Sequence, residues 1–152
     1  MDAFNTFSLK KEISENIFYA NGFGMFIDTE STFYYVLDWA GSKVFRYDDN
    51  WNFIEYKSYY SYPFHMIVVN NSIYINGEKI YKTDKYLNFI KSGGNGGGLR
   101  GIYYNPENNN IYVAMCQNEL KRIDIFNLGL KFVDYIDLTP YLTENTIFNS
   151  GI

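Results

Sequence analysis

Short apolar runs separated by turn-forming residues recur along this chain in groups of four, three times over. The first run of each group covers residues 24–28, 65–70 and 100–105, each closed by Asp28, Asn70 or Asn105. Apolar runs of this length between turn formers predict buried strands. The second runs are residues 33–37, 73–75 and 111–114. The third runs are residues 43–47, 79–83 and 120–125, where polar and apolar positions alternate. That alternation predicts a strand with one face in solvent. The fourth runs are residues 52–55, 88–91 and 131–134. Polarity rises from the first run to the fourth. This predicts a four-stranded sheet with its first strand central and its last at the rim.

The tyrosine of the second strand returns at Tyr35, Tyr74 and Tyr112, 39 and 38 residues apart. A period near 40 marks a repeat architecture. The turns between runs hold Asn, Asp, Ser and Pro, whose side chains or fixed φ favour reversal. Asn76-Gly77 is expected to be a tight hairpin turn between the second and third strands. The glycine run at residues 93–98 lacks the Gly-Lys-Ser or Gly-Lys-Thr that opens a phosphate-binding helix, so it reads as a linker.

These residues resemble NHL-type β-propeller repeats. The motif is carried by Tyr35-Val36-Leu37-Asp38 with Lys43-Val44-Phe45-Arg46-Tyr47-Asp48, and by Gly101-Ile102-Tyr103-Tyr104-Asn105 with Ile111-Tyr112-Val113-Ala114. Pro63 and the glycine run fall where that family places such residues. The resemblance implies an all-β fold of four-stranded antiparallel propeller blades. Residues 23–62, 63–98 and 99–142 are then the three blades. Residues 1–22 are a partial preceding blade or an extension. The rival reading there is a helix with Leu9, Ile13 and Ile17 on one face. Ser150-Gly151-Ile152 echoes Arg100-Gly101-Ile102, so residues 143–152 are expected to begin a further blade. The expectation is an incomplete ring, a piece of a larger propeller, with self-association as the second possibility.

Charge narrows the partners. The chain has 13 basic and 17 acidic side chains, a net charge of −4. A nucleic-acid surface needs clustered Lys and Arg, so nucleic acid is an unlikely partner. Cys116 is the sole cysteine, which excludes an internal disulfide, and it reads as a packed hydrophobe. No signal peptide or membrane span is evident, and a cytoplasmic location is the expectation. Aromatic residues make up 20% of the chain, but the accompanying Asn, Ile and Lys bias is also what an A/T-rich genome produces.

Candidate chemistry is sparse. His65, the sole histidine, and Arg100 begin equivalent inner strands and could face a ligand at the propeller centre. The alternative is a packed His and a solvated Arg. Trp39 and Trp51 stand in turns, where aromatic side chains either anchor a partner or cover the gap to a neighbouring blade. Asp28, Asn70 and Asn105 close the three inner strands. Regucalcin- and gluconolactonase-like propellers resemble this arrangement, with carboxylates and amides around a central cation. That likeness implies a metal-dependent lactonase or esterase using calcium or another divalent cation. The other reading is strand capping by Asp and Asn. The leading expectation is a non-enzymatic scaffold without a cofactor, binding a protein or other ligand. The NHL resemblance adds a substrate-recognition module of a tripartite-motif-like ubiquitin ligase as a further alternative.

Overall fold

The computed structural model describes residues 22–28, 33–58, 60–94, 99–115 and 121–141. Twelve strands form three separate antiparallel sheets, each a meander in chain order. The first sheet holds β1 (Gly22–Asp28), β2 (Phe33–Asp38), β3 (Lys43–Tyr47) and β4 (Phe53–Lys57). The second holds β5 (His65–Val69), β6 (Ser72–Asn76), β7 (Ile80–Asp84) and β8 (Phe89–Gly93). The third holds β9 (Leu99–Asn105), β10 (Asn110–Met115), β11 (Arg122–Asn127) and β12 (Phe132–Asp137). A 3₁₀ turn at Thr139–Tyr141 follows. The first strand of the second sheet touches the first strands of both neighbours, so β1, β5 and β9 line one side. Every residue of β12 is exposed, which puts the fourth strand at the rim.

The second sheet explains why its strands are apolar without alternation. Successive side chains on a strand point to opposite faces. Met66, Ile73, Ile75 and Tyr81 enter a core shared with Tyr35, Leu37 and Val44 of the first sheet. Val69, Tyr74 and Ile80 enter a second core with Ile111, Val113 and Phe126 of the third. Both faces are covered, so both sets of positions must be apolar.

The recurring tyrosine links consecutive sheets. Tyr35 Oη donates to the Lys85 carbonyl at 2.8 Å, and Tyr74 Oη donates to the Leu128 carbonyl at 2.9 Å. Those carbonyls are equivalent positions in the hairpin between the third and fourth strands. That hairpin is built the same way three times. Asp48, Asp84 and Asn127 each accept, through Oδ1, the backbone N–H groups two and four residues on, at 2.7–3.0 Å. The residue three places on adopts positive φ: Trp51 at 62°, Leu87 at 59° and Leu130 at 57°. A type I turn followed by a left-handed residue and a bulge fits this geometry, and each third–fourth strand pair shifts register there. A leucine in this conformation costs roughly 1 kcal/mol or more. Leu87 and Leu130 are 0% and 5% exposed, each in the core shared with the preceding sheet. Burying a leucine returns about 1.5–3 kcal/mol, so the strain is tolerated.

Three expectations change. First, the third strands of the first two sheets do not keep one face in solvent. Arg46 and Thr83 are 7% and 0% exposed, because the neighbouring sheet covers the face that carries them. Arg46 lies 4.6 Å from the Phe33 ring centre and 5.0 Å from that of Tyr86, and Nη2 reaches Glu55 Oε1 at 2.6 Å. Second, Asn76-Gly77 is not a two-residue turn. Asn76 belongs to β6, is fully buried, and pairs with Ile80 across a three-residue connection. Gly77 is required by proximity instead: a Cβ there would lie 2.2 Å from the Ser61 carbonyl oxygen. The two-residue turn is Asn70-Asn71, with φ of 49° and 60°, joining the Val69–Ser72 pair. Third, the glycine run does not begin as linker. Gly93 is the last residue of β8, and a Cβ on it would lie 2.8 Å from Leu130 Cβ. Gly94 takes a φ of 80°, and residues 95–98 lie outside the described residues. The readings for residues 1–21, Cys116 and residues 142–152 also fall outside the described residues.

Candidate functional site

His65 opens β5 and is half-buried. Its backbone N–H donates to Asn76 Oδ1 at 2.7 Å. Burial disfavours the imidazolium and lowers the His65 pKa from its ordinary value. Asn76 turns inward because this bond and the backbone bond from Phe64 N to its carbonyl, at 2.8 Å, fix the entry of the chain into the second sheet. Asn76 Nδ2 is buried with no hydrogen-bond partner among the described residues, as is Asp38 Oδ2. The other Asp38 oxygen accepts from Gly41 N at 2.8 Å.

Trp39 follows Asp38 at this end. Its ring centre lies 5.4 Å from that of Tyr62 and 5.8 Å from that of Phe64. It therefore packs on the segment that leads into β5, close to His65 in the chain. Trp51 stands in a different turn. It occupies the left-handed position of the first outer hairpin and stacks on Tyr34 at 4.2 Å and 4°. The two tryptophans do not form one surface by pairing with each other.

Arg100 lies within β9, and its side chain falls outside the described residues, as does that of Asp28. Asp28 pairs with Phe33 and Asn105 with Asn110. The residue at the same register in the second sheet is Val69, opposite Ser72; Asn70 stands one place further, in the turn. Asn105 Oδ1 accepts from Glu107 N at 2.9 Å, the short-range bond of a turn asparagine. Among the described residues no three His, Cys, Asp or Glu side chains converge to hold a metal ion.

Charged groups elsewhere serve the fold. Burial alone would raise the Asp84 pKa. Bonds from the Asn88 side chain and backbone and from Tyr86 N, with the Arg46 charge, outweigh it and hold the carboxyl below its ordinary value. Arg122 Nε lies 2.7 Å from Asp124 Oδ1, an ion pair that is close but off the N–H axis.

The outer strands present a surface that sequence reading placed at the rim without recognising its exposure. Phe53-Ile54, Phe89-Ile90 and Phe132-Val133 open β4, β8 and β12, and all six are 40–53% exposed. The signal was visible as a phenylalanine followed by a branched aliphatic residue in each fourth strand. Phe89 also lines an open cleft of about 490 Å³ with Ser61, Glu78, Lys79, Tyr81 and Ser92. Tyr81 fixes one wall, its Oη accepting from Ser61 N at 3.0 Å. A cleft of this size with aromatic walls and a few polar groups suits a side chain or small ligand. No helix among the described residues is long and apolar enough to cross a membrane.

No protein-family model and no curated protein matches the chain. Solved structures do. Hydrazine synthase from Kuenenia stuttgartiensis superposes with a TM-score of 0.71 at 16% identity, over 85% of this chain and 40% of that one. A streptogramin B lyase gives 0.64 at 19% identity, over 78% and 41%. Catalytically inactive virginiamycin B lyase from Staphylococcus aureus, solved with quinupristin, gives 0.66 at 15% identity, over 84% and 44%. The chain thus spans about two fifths of the length of these structures. At such identities the likeness concerns the fold, and with the three meander sheets it identifies the described residues as all-β, propeller-type blades.

Proposed function

We propose that this chain is an NHL-like propeller segment that serves as a protein-binding scaffold, with the outer strands as its contact surface. The observation that carries this reading is the repeated exposed pair on β4, β8 and β12. Large apolar side chains exposed together mark interaction sites more often than chance placement does, and aromatic anchors supply much of the energy of such contacts. Phe89 beside its cleft is the strongest single anchor, because a partner side chain entering the cleft would cover both.

Capture of partners by the immobilised chain, followed by mass spectrometry, tests the proposal. A partner retained by the wild type is expected to be lost with Phe89→Ser/Ile90→Ser, while Lys43→Ala leaves it bound. Retention by the rim variant would overturn the rim as the contact surface. In the same samples, calcium and EDTA are expected to leave the melting temperature unchanged. A rise of several degrees with calcium would instead favour the cation-dependent lactonase reading, since a ligand held by the folded state raises its stability.

A further inference from the structure

We propose that the cleft beside Phe89 is a carbohydrate subsite that takes a neutral pyranose ring. The inference rests on the rim as the contact surface, and it names the group that enters the cleft: a sugar carried by the bound partner.

The cleft is assembled from separate segments of chain. Ser61 comes from the connection between β4 and β5, Glu78 and Lys79 from the turn between β6 and β7, and Tyr81, Phe89 and Ser92 from β7 and β8. The Ser61 backbone is held on both sides. Its N–H donates to Tyr81 Oη at 3.0 Å, and its carbonyl accepts from Glu78 N at 2.8 Å. Tyr81 is only 7% exposed, and its ring meets that of Tyr60 edge-on at 5.4 Å. A ligand entering here meets walls already in place, which spares it the cost of ordering them.

The chemistry of the walls selects the ligand. Glu78 and Lys79 are exposed, and neither side chain has a hydrogen bond or ion pair among the described residues. The Ser61 and Ser92 hydroxyls, both half-buried, are likewise uncommitted there. Tyr81 Oη accepts from Ser61 N and keeps its own proton to donate. The cleft thus offers a carboxylate, an ammonium and hydroxyls around two aromatic rings, without net charge. A single charge of either sign would gain from one of Glu78 and Lys79 and be repelled by the other. A purely apolar group would strip water from these side chains and return no hydrogen bond. A neutral pyranose suits them all, because its hydroxyls both donate and accept and its C–H face packs on an aromatic ring. The volume of about 490 Å³ is in the range of small-ligand sites.

Isothermal titration of the 152-residue chain with maltose, cellobiose, lactose and chitobiose tests this, with circular dichroism confirming that each variant keeps its sheets. At least one sugar is expected to bind saturably. Phe89→Ala and Glu78→Ala are each expected to weaken that binding about tenfold or more, the worth of one charge-assisted hydrogen bond or a lost aromatic wall. Lys43→Ala should leave it unchanged. Butylamine and acetate, which mimic basic and acidic side chains, are expected to bind more weakly than the sugar. No saturable binding of any of these sugars, binding unaltered in both cleft variants, or tighter binding of butylamine or acetate would each overturn the proposal. The capture experiment separates it from the reading on which it rests, since treating the partner with glycosidases is expected to release it. Capture that needs Phe89 and Ile90 but survives deglycosylation overturns the sugar and keeps the rim. Saturable sugar binding lost in both cleft variants, beside capture that survives Phe89→Ser/Ile90→Ser, keeps the subsite and overturns the rim.

Discussion

Tyr35 and Tyr74 make the same contact, but their acceptors differ. The Leu128 carbonyl also receives Lys82 Nζ at 3.0 Å, so it keeps a donor when Tyr74 becomes phenylalanine. The Lys85 carbonyl has Tyr35 as its only hydrogen-bond donor among the described residues. Tyr35→Phe is therefore expected to destabilise more than Tyr74→Phe in urea unfolding, about 1–3 kcal/mol against about 0.5–1.5. Equal losses would show that the Lys82 bond does not compensate. His65 gives a second test at this scale. Its pKa in the folded chain is depressed, so the unfolded chain takes up a proton first as pH falls. The stability it contributes is complete above its ordinary pKa of about 6.5 and declines as pH drops through the folded value. Melting temperature should fall between pH 7 and pH 5, and His65→Gln should flatten that slope. The Asp84 and Asp137 shifts, both downward from ordinary carboxyl values, act at lower pH and leave this window to His65. The residue types here were readable beforehand, but their surroundings were not. Nothing local to Arg46 announced that Phe33 and Tyr86 would enclose it, since Tyr86 comes from another sheet.

The outer hairpin is the element that the sequence half revealed. Asp48, Asp84 and Asn127 are visible turn formers, and the strands flanking them followed from their apolar runs. The left-handed residue was hidden, because Trp51, Leu87 and Leu130 are poor choices for positive φ on local grounds. Gly129 sits beside the position that glycine would be expected to fill. Tertiary burial decides the matter. Leu87→Ala should cost about 2–5 kcal/mol by leaving a cavity in the first core. Leu87→Gly should be no worse despite losing one more carbon, because glycine relieves the strained φ. A much larger loss for glycine in thermal unfolding would show that the backbone strain is negligible. Asn76-Gly77 failed as a turn for the converse reason. Its local signal is strong, but Asn76 holds the entry to β5 and Gly77 makes room for Ser61. The candidate cation ring shows the limit of matching by sequence alone. A one-residue offset, Val69 against Asn70, separates adjacent positions that strand register keeps apart.

At the scale of the whole molecule, the period near 40 was the most legible feature, and three meander sheets stand where it put them. What the period could not convey is that the sheets differ in kind. Among the described residues the third contributes one face to a core, and the second contributes two. Chains built of stacked units have stabilities close to a sum of unit and nearest-neighbour terms. Opening the second sheet breaks two junctions at once, whereas opening the third breaks only one. Amide exchange should therefore be slowest in β6 and β7 and faster in β10 and β11. Equal protection across all three would mean that they open as one unit. The sheet with two buried faces thus acts as the chain's kinetic keystone. Damage at either of its junctions is expected to quicken exchange there first, before the whole chain loses its fold.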